Sequence, residues 1–262
     1  MQTYMTSPKR LILILLTVCC ASLLPCSAQA QRQIHVLAAA DLQPILPQLA
    51  SEFEKAKGIK IIASYGSSAN LATQIINGDP ADLFLAADYS YPEKVVAANL
   101  ADSPAPTPYA RGTLVLWARK DSPFQPLTQI TLSSPKIQSL AVADPLHAPY
   151  GLAAERALIS MHLYDTLKPH LVVAQNIEQA AQFVESGNAQ LGLISLTAAS
   201  TEHFKQIGSF IRMQPGTYPE IRQCAVVLKK SQHRDEAHAF LDWLHSPPVQ
   251  QQLTAFGLEP AQ

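Results

Sequence analysis

The sequence predicts an α/β fold arranged in two lobes. From Gln33 onward short β-type runs alternate with longer amphipathic ones, a spacing that indicates parallel βαβ units and an α/β layer sandwich. A Pro-rich break, "DSPAPTP" (Asp102 to Pro108), then interrupts the chain, and the same alternation resumes after it.

In the first lobe "IHVLAA" (Ile34 to Ala39) reads as a strand. Leu42, Ile45, Leu46, Leu49 and Phe53 follow at helical spacing, and Gly58 ends the pattern. "IKIIASY" is the next strand. The step "GSS" opens a helix that runs to Asn77-Gly78, and after the turn Asp79-Pro80 comes the strand "DLFLAA" (Asp82 to Ala87). "GTLVLWARKDSP" is expected to carry the chain across to the second lobe. There "SLAVAD" (Ser139 to Asp144), a helix from Tyr150 to about Met161, "LVVA", a helix from Ile177 to Ser186, "LGLIS" and "CAVVLKK" (Cys224 to Lys230) repeat the logic. "RDEAHAFLDWLHS" and "PPVQQQLTAFG" read as closing helices. The resulting boundaries are 31–114 for the first lobe, 115–225 for the second and 226–262 for the return, with hinges expected at Arg111 to Arg119 and Gln223 to Lys229.

Residues 1–30 are set apart as an export signal. Lys9 and Arg10 form its charged start, Leu11 to Leu24 its apolar run, and Ala28-Gln29-Ala30 an A-x-A cleavage site. Pro25 before Cys26 argues against a lipoprotein signal, so a soluble exported product is expected. Removing 30 of 262 residues leaves 232, enough for one large domain or two ordinary ones. Of 19 basic side chains two leave with the signal, so 17 face 20 acidic ones and the balance is near −3. No basic patch stands out, which argues against nucleic acid or a membrane surface as a partner. Cys224 is the one cysteine of the mature chain, so no internal disulfide can form.

Enzyme signatures are absent: there is no G-x-S-x-G elbow, no phosphate-binding GxxxxGK[ST], no GxGxxG and no HExxH. His233, His238 and His245 are spaced unsuitably for a metal site on one helix face. What recurs is a strand that ends in small residues and meets a small or polar helix start. These junctions are Ala38-Ala39-Ala40-Asp41, Gly66-Ser67-Ser68, Asp144-Pro145 to Tyr150, Ala174-Gln175-Asn176-Ile177, and Leu191 to Ser195. Beyond the carboxyl ends of strands in an open α/β sheet lies the ligand crevice. Five helix starts converging there would offer N–H groups, hydroxyls and positive dipole ends to an anion, with no Lys or Arg among them.

"VLAAADLQPILPQLASEFEKAKG", "SYGSSANLATQIINGDPADLFLAAD", "LAVADPLHAPYGLAAERAL" and "AQLGLIS" together resemble the periplasmic molybdate-binding proteins of ABC importers, over essentially all of the mature chain. The resemblance implies a two-lobed periplasmic binding protein fold of type II, with a ligand cleft between the lobes. It implies capture of molybdate or tungstate, delivery to a membrane permease with its ATPase, a periplasmic location, a monomer, no cofactor and no catalysis. Molybdenum would enter only inside the oxyanion. Carried over by position, the binding residues are Asp41 (with Ala40 beside it), Ser68 (with Ser67), the amides of Tyr150 and Ile177, and Ser195. Two of these depart from the family pattern. Ser195 stands where a tyrosine is one familiar solution, and Asp41 puts a carboxylate where a hydroxyl is expected.

A carboxylate facing a dianion in a dry cleft repels it. Either Asp41 turns back to cap its own helix, the arrangement the Gln43-Pro44 continuation favours, or it accepts a proton from a protonated oxyanion such as hydrogen phosphate. A phosphate, sulfate or other anion receptor on the same fold, and more remotely a secreted α/β hydrolase, are the alternatives.

Overall fold

A computed structural model describes residues 32–261; the expected export signal, 1–30, lies outside the described residues. Two sheets organise the chain. The first contains β1 (Arg32–Ala39), β2 (Ile59–Gly66), β3 (Leu83–Ala86), β4 (Thr107–Gly112), β10 (Ile221–Val227) and β11 (Glu259–Pro260), in the order β11-β4-β10-β3-β1-β2. The second contains β5 (Leu114–Arg119), β6 (Leu140–Ala143), β7 (Leu171–Ala174), β8 (Leu191–Ser195) and β9 (Gly208–Arg212), in the order β7-β6-β8-β5-β9. In each sheet a parallel trio, β2-β1-β3 or β7-β6-β8, supplies the βα junctions, and antiparallel strands complete the layer.

The helices are α1 (Leu46–Lys57), α2 (Ser68–Ile76), α3 (Ser90–Ala97), α4 (Pro149–Ser160), α5 (Tyr164–Leu167), α6 (Ile177–Glu185), α7 (Leu196–Ala199), α8 (Glu202–Ile207), α9 (Arg234–Leu244) and α10 (Pro247–Ala255). The apolar spacing expected from Leu42 onward is split. A 3-10 turn, Ala40–Leu42, comes first and α1 begins only at Leu46, because Pro44 and Pro47 deny the chain amide donors between them. Gly58 ends α1 at φ 67°, donating its N–H to Glu54 O, a left-handed cap that glycine adopts without steric cost.

The crossings between sheets are tighter than the sequence suggests. Only Thr113 separates β4 from β5, and the return lies between Arg212 and Ile221. The expected boundary at 225, and the expected hinge at Gln223 to Lys229, therefore fall within or beyond β10, which lies entirely in the first sheet. The strand expected at Cys224 to Lys230 begins three residues earlier, at Ile221. Its pairing with β4 shifts register between Gln223 and Cys224, an irregularity that re-aims a side chain locally.

The first sheet is covered on both faces. Ile34, Phe53, Leu83, Phe240 and their neighbours fill one side, and Leu37, Leu71, Phe84, Val95 and Val226 the other. The second lobe packs around Trp117, whose ring meets Phe204 edge-on at 5.1 Å, and around Leu116, Ala154 and Leu193. Among the described residues no helix is long and apolar enough to cross a membrane.

Candidate functional site

Four helix starts meet where the lobes face each other. Ala39, Ala40, Asp41, Gly66, Ser67, Ser68 and Ala87 from the first lobe, and Ala148, Pro149, Tyr150, Asn176 and Ile177 from the second, line one cavity of about 10 Å³. Pockets that take drug-sized organic ligands run to roughly 300–1,000 Å³, so this space, about that of one water molecule, has no room for such a ligand. Larger hollows lie elsewhere, including one of about 610 Å³ beside the crossings, lined by Arg111, Arg212 and Glu259 among others, but no helix starts converge on it.

The two serines are set as donors by what they accept. Ser67 Oγ caps α2 by accepting Asn70 N–H at 3.4 Å, and Ser68 Oγ, fully buried, accepts Ala87 N–H at 3.0 Å. A hydroxyl has one proton and two lone pairs. With a lone pair of each engaged by backbone, each hydroxyl keeps its proton to give. Asn176 caps α6 by accepting Gln179 N–H at 2.9 Å, and Gln179 reaches back to Gln175 N–H at 2.7 Å, which fixes the start of the helix at Ile177. Pro47-like pre-organisation recurs at α4, where Pro149 occupies the first helical position and Tyr150 follows. The N–H groups of Ile177 and Tyr150 fall in first turns, which have no intrahelical acceptors.

Asp41 does not cap its helix. It sits inside the 3-10 turn, which has no side-chain cap, and is fully buried. Its Oδ2 accepts the Tyr150 hydroxyl at 3.2 Å and the Gln223 Nε2 amide, while its Oδ1 has no hydrogen-bond partner. The capping arrangement expected from sequence is thus replaced by a lobe-to-lobe latch, with Gln223 turned inward by the alternation of its strand from Ile221. Burial pushes the Asp41 carboxyl up from 3.8 to about 6, opposed by the bonds from Gln223, Tyr150 and its own backbone. Folding therefore favours its neutral form. The contribution to stability is whole below about pH 4 and is lost as pH rises through about 6.

Tyr150 brings more than the amide expected of it. Its ring is buried and its hydroxyl rests against Gly112, where a Cβ would lie 2.2 Å from the phenolic oxygen. Ser195 goes elsewhere. Its Oγ caps α7 by accepting Ala198 N–H at 3.3 Å and bonds Thr197 Oγ1 at 2.8 Å, and it does not line the cavity. Thr197 in turn donates to Asp41 O at 2.8 Å, so this junction supports the turn that carries Ala40 and Asp41. Gln223 and Thr197 were not singled out in the sequence. Alternation from Ile221 places Gln223 on the inward face of its strand, which is the signal that a polar core residue leaves.

Further bonds hold the lobes together at the mouth. Ala69 N–H donates to His147 O at 3.1 Å, and the Tyr91 hydroxyl donates to Leu146 O at 3.0 Å. Lys and Arg are absent from the lining, and among the described residues no group of three or more His, Cys, Asp or Glu side chains could hold a metal ion. The arrangement is one of neutral donors around a small volume, with one carboxyl among them.

A family model described as bacterial extracellular solute-binding protein matches residues 34–259. The molybdate-binding protein ModA of Azotobacter vinelandii is 36% identical over 237 residues, 90% of this chain and 93% of that protein. Its counterpart in Rhodobacter capsulatus is 32% identical over 228 residues, 87% and 88% of the two chains. The solved periplasmic molybdate-binding protein of Azotobacter vinelandii superposes with a TM-score of 0.80 at 31% identity, covering 87% of this chain and all of that one (100%). The expected two-lobed periplasmic binding protein fold of type II is the one observed, and on these matches the chain belongs to the bacterial extracellular solute-binding proteins, as a relative of their molybdate-binding members.

Proposed function

We propose that this protein is a periplasmic receptor that captures molybdate, and tungstate by the same geometry, and delivers it to the permease of an ABC importer. The observation that carries this reading is the convergence of four helix starts from both lobes on one cavity of about 10 Å³ with no Lys or Arg in its lining. Helix N-termini and hydroxyls stabilise an oxyanion by dipoles and hydrogen bonds without a neutralising side chain. A tetrahedral dianion offers only acceptors, so a donor-lined site takes it and leaves the hydroxyl of a protonated anion unpaired. The hydroxyls of Ser68 and Ser67 and the amides of Ala40, Tyr150 and Ile177 are the assigned contacts. Ser195 acts behind them, through Thr197. The relatives' molybdate-binding names support the choice of anion. Export by cleavage after Ala30 and action as a monomer complete the reading.

One observation favours a second reading. The unpartnered Asp41 Oδ1 would accept the O–H of hydrogen phosphate, making the protein a receptor for a protonated oxyanion.

Thermal melts separate the two. A ligand present at a thousandfold its Kd stabilises by about 4 kcal/mol, which raises Tm by roughly 8–16 °C in a domain of this size. Molybdate and tungstate are expected to give that shift, with phosphate giving little. Ser68→Ala should bind molybdate roughly 5- to 150-fold more weakly, since it removes a donor to the anion worth about 1–3 kcal/mol, and should lower Tm without ligand because it strands the buried Ala87 N–H. A shift with phosphate and none with molybdate would establish the second reading instead.

A further inference from the structure

We infer that the cleft takes up one proton with each molybdate and holds it on Asp41, so that anion capture is proton-coupled; this rests on the molybdate reading. Asp41 is fully buried and lines the cavity, and its two oxygens are unequally served. Oδ2 receives Tyr150 Oη and Gln223 Nε2, whereas Oδ1 has no donor. Every other polar group assigned to the anion is a donor. A proton on Oδ1 turns the one misfit into another donor and removes a charge that would oppose the dianion.

The surroundings supply no alternative compensation. Tyr150 from α4, Tyr109 from β4, Glu178 from α6 and Cys224 beside Gln223 on β10 are the titratable groups around it, and Tyr65 lies near the end of β2. The short α7 has none and contributes the Thr197 hydroxyl to the Asp41 carbonyl. None of these is a cation. Burial already pushes the Asp41 carboxyl up to about 6, and a dianion beside it acts in the same direction. Glu178 is the competing acceptor, raised to about 7 by burial and by repulsion from Glu185 and Asp41, with an unpartnered Oε2.

Below about pH 6 the free protein already holds the Asp41 proton, and affinity is flat. Above it the proton must come from the buffer, so affinity falls about tenfold per pH unit until the bound form itself titrates.

Calorimetric titration of molybdate into the mature protein at pH 8, in Tris and in HEPES, tests this. The enthalpies are expected to differ by the difference between the ionisation enthalpies of Tris and HEPES, one proton per molybdate, and Kd to rise about tenfold from pH 7 to pH 8. In Asp41→Asn and Asp41→Ser both effects should vanish, while Glu178→Gln keeps them. Tight binding with a buffer-independent enthalpy in the wild type overturns the proton coupling and leaves molybdate capture intact. Proton uptake that survives both Asp41 variants and disappears in Glu178→Gln overturns the assignment to Asp41. Absence of molybdate heat at every pH removes the molybdate reading itself.

Discussion

Gly151→Ala is expected to weaken molybdate binding roughly 100-fold and to lower Tm in the same protein. A Cβ at Gly151 would stand 2.4 Å from Ala143 O and 2.6 Å from Asp144 O. Both are backbone atoms at the end of β6, so no rotamer change can relieve the contact. The start of α4 has to move away from the strand, taking Pro149 and Tyr150 with it. Overpacking of this kind costs about 1–3 kcal/mol in stability. Displacing the Tyr150 amide, and with it the hydroxyl that reaches Asp41 across the cleft, strips one or two hydrogen bonds from the bound state. At about 1.5–3 kcal/mol for a bond to a charged group, the loss is on the order of 10- to 100-fold or more. Calorimetry with molybdate and a melt without ligand read the two effects separately. Wild-type affinity in this variant would mean that the start of α4 does not hold the anion.

Phe240→Ala should do the reverse, costing about 3–5 kcal/mol of stability while leaving the folded protein's molybdate affinity within a few-fold of wild type. Phe240 is fully buried on α9, edge-on to Phe53 at 4.9 Å and stacked on Trp243 at 5.9 Å. This cluster locks α1 and α9 onto the first sheet and contributes no residue to the cavity lining. In a domain of this size the loss corresponds to roughly 6–20 °C in Tm. Chemical denaturation and titration of the folded fraction give the two numbers. A large fall in affinity together with the fall in Tm would show that core and cleft are coupled.

The parallel strands of both lobes were legible because buried βαβ units leave a strong mark: "LVVA" and "LGLIS" coincide with β7 and β8. The 3.6 spacing and Gly58 marked α1 apart from its first turn, and Ser67 and Asn176 marked the starts of α2 and α6. Of the antiparallel strands, β5 lies within "GTLVLWARKDSP" and β10 overlaps the strand expected from Cys224, whereas β4 and β11 were not legible. β4 is only six residues long and contains Pro108, and β11 has two residues, so neither shows a period. β4 depends on pairing with β10, and β11 on pairing with β4, contacts made far along the chain.

The site shows the same division. Ala40, Ser67, Ser68, Tyr150 and Ile177 are local features of helix starts and could be read from neighbouring residues. The Asp41 environment is not local: Tyr150 lies 109 residues away and Gln223 182 residues away. An aspartate before a helix has a local use as a cap, and sequence reasoning assigned that use. Folding brings two donors onto the carboxylate instead, Gln223 from the inward face of β10 and Tyr150 from the start of α4. Ser195 illustrates the converse, since its local use as a cap is the one the structure shows.

Anomalous diffraction above the molybdenum K edge, on crystals grown with molybdate, tests the central claim most directly. One strong peak is expected in the cavity between the lobes, bounded by Ser68 and Ala40 on one side and by the Tyr150 and Ile177 amides on the other. A peak beside the crossings near Arg111 and Arg212, or an empty cleft at saturating molybdate, would contradict it.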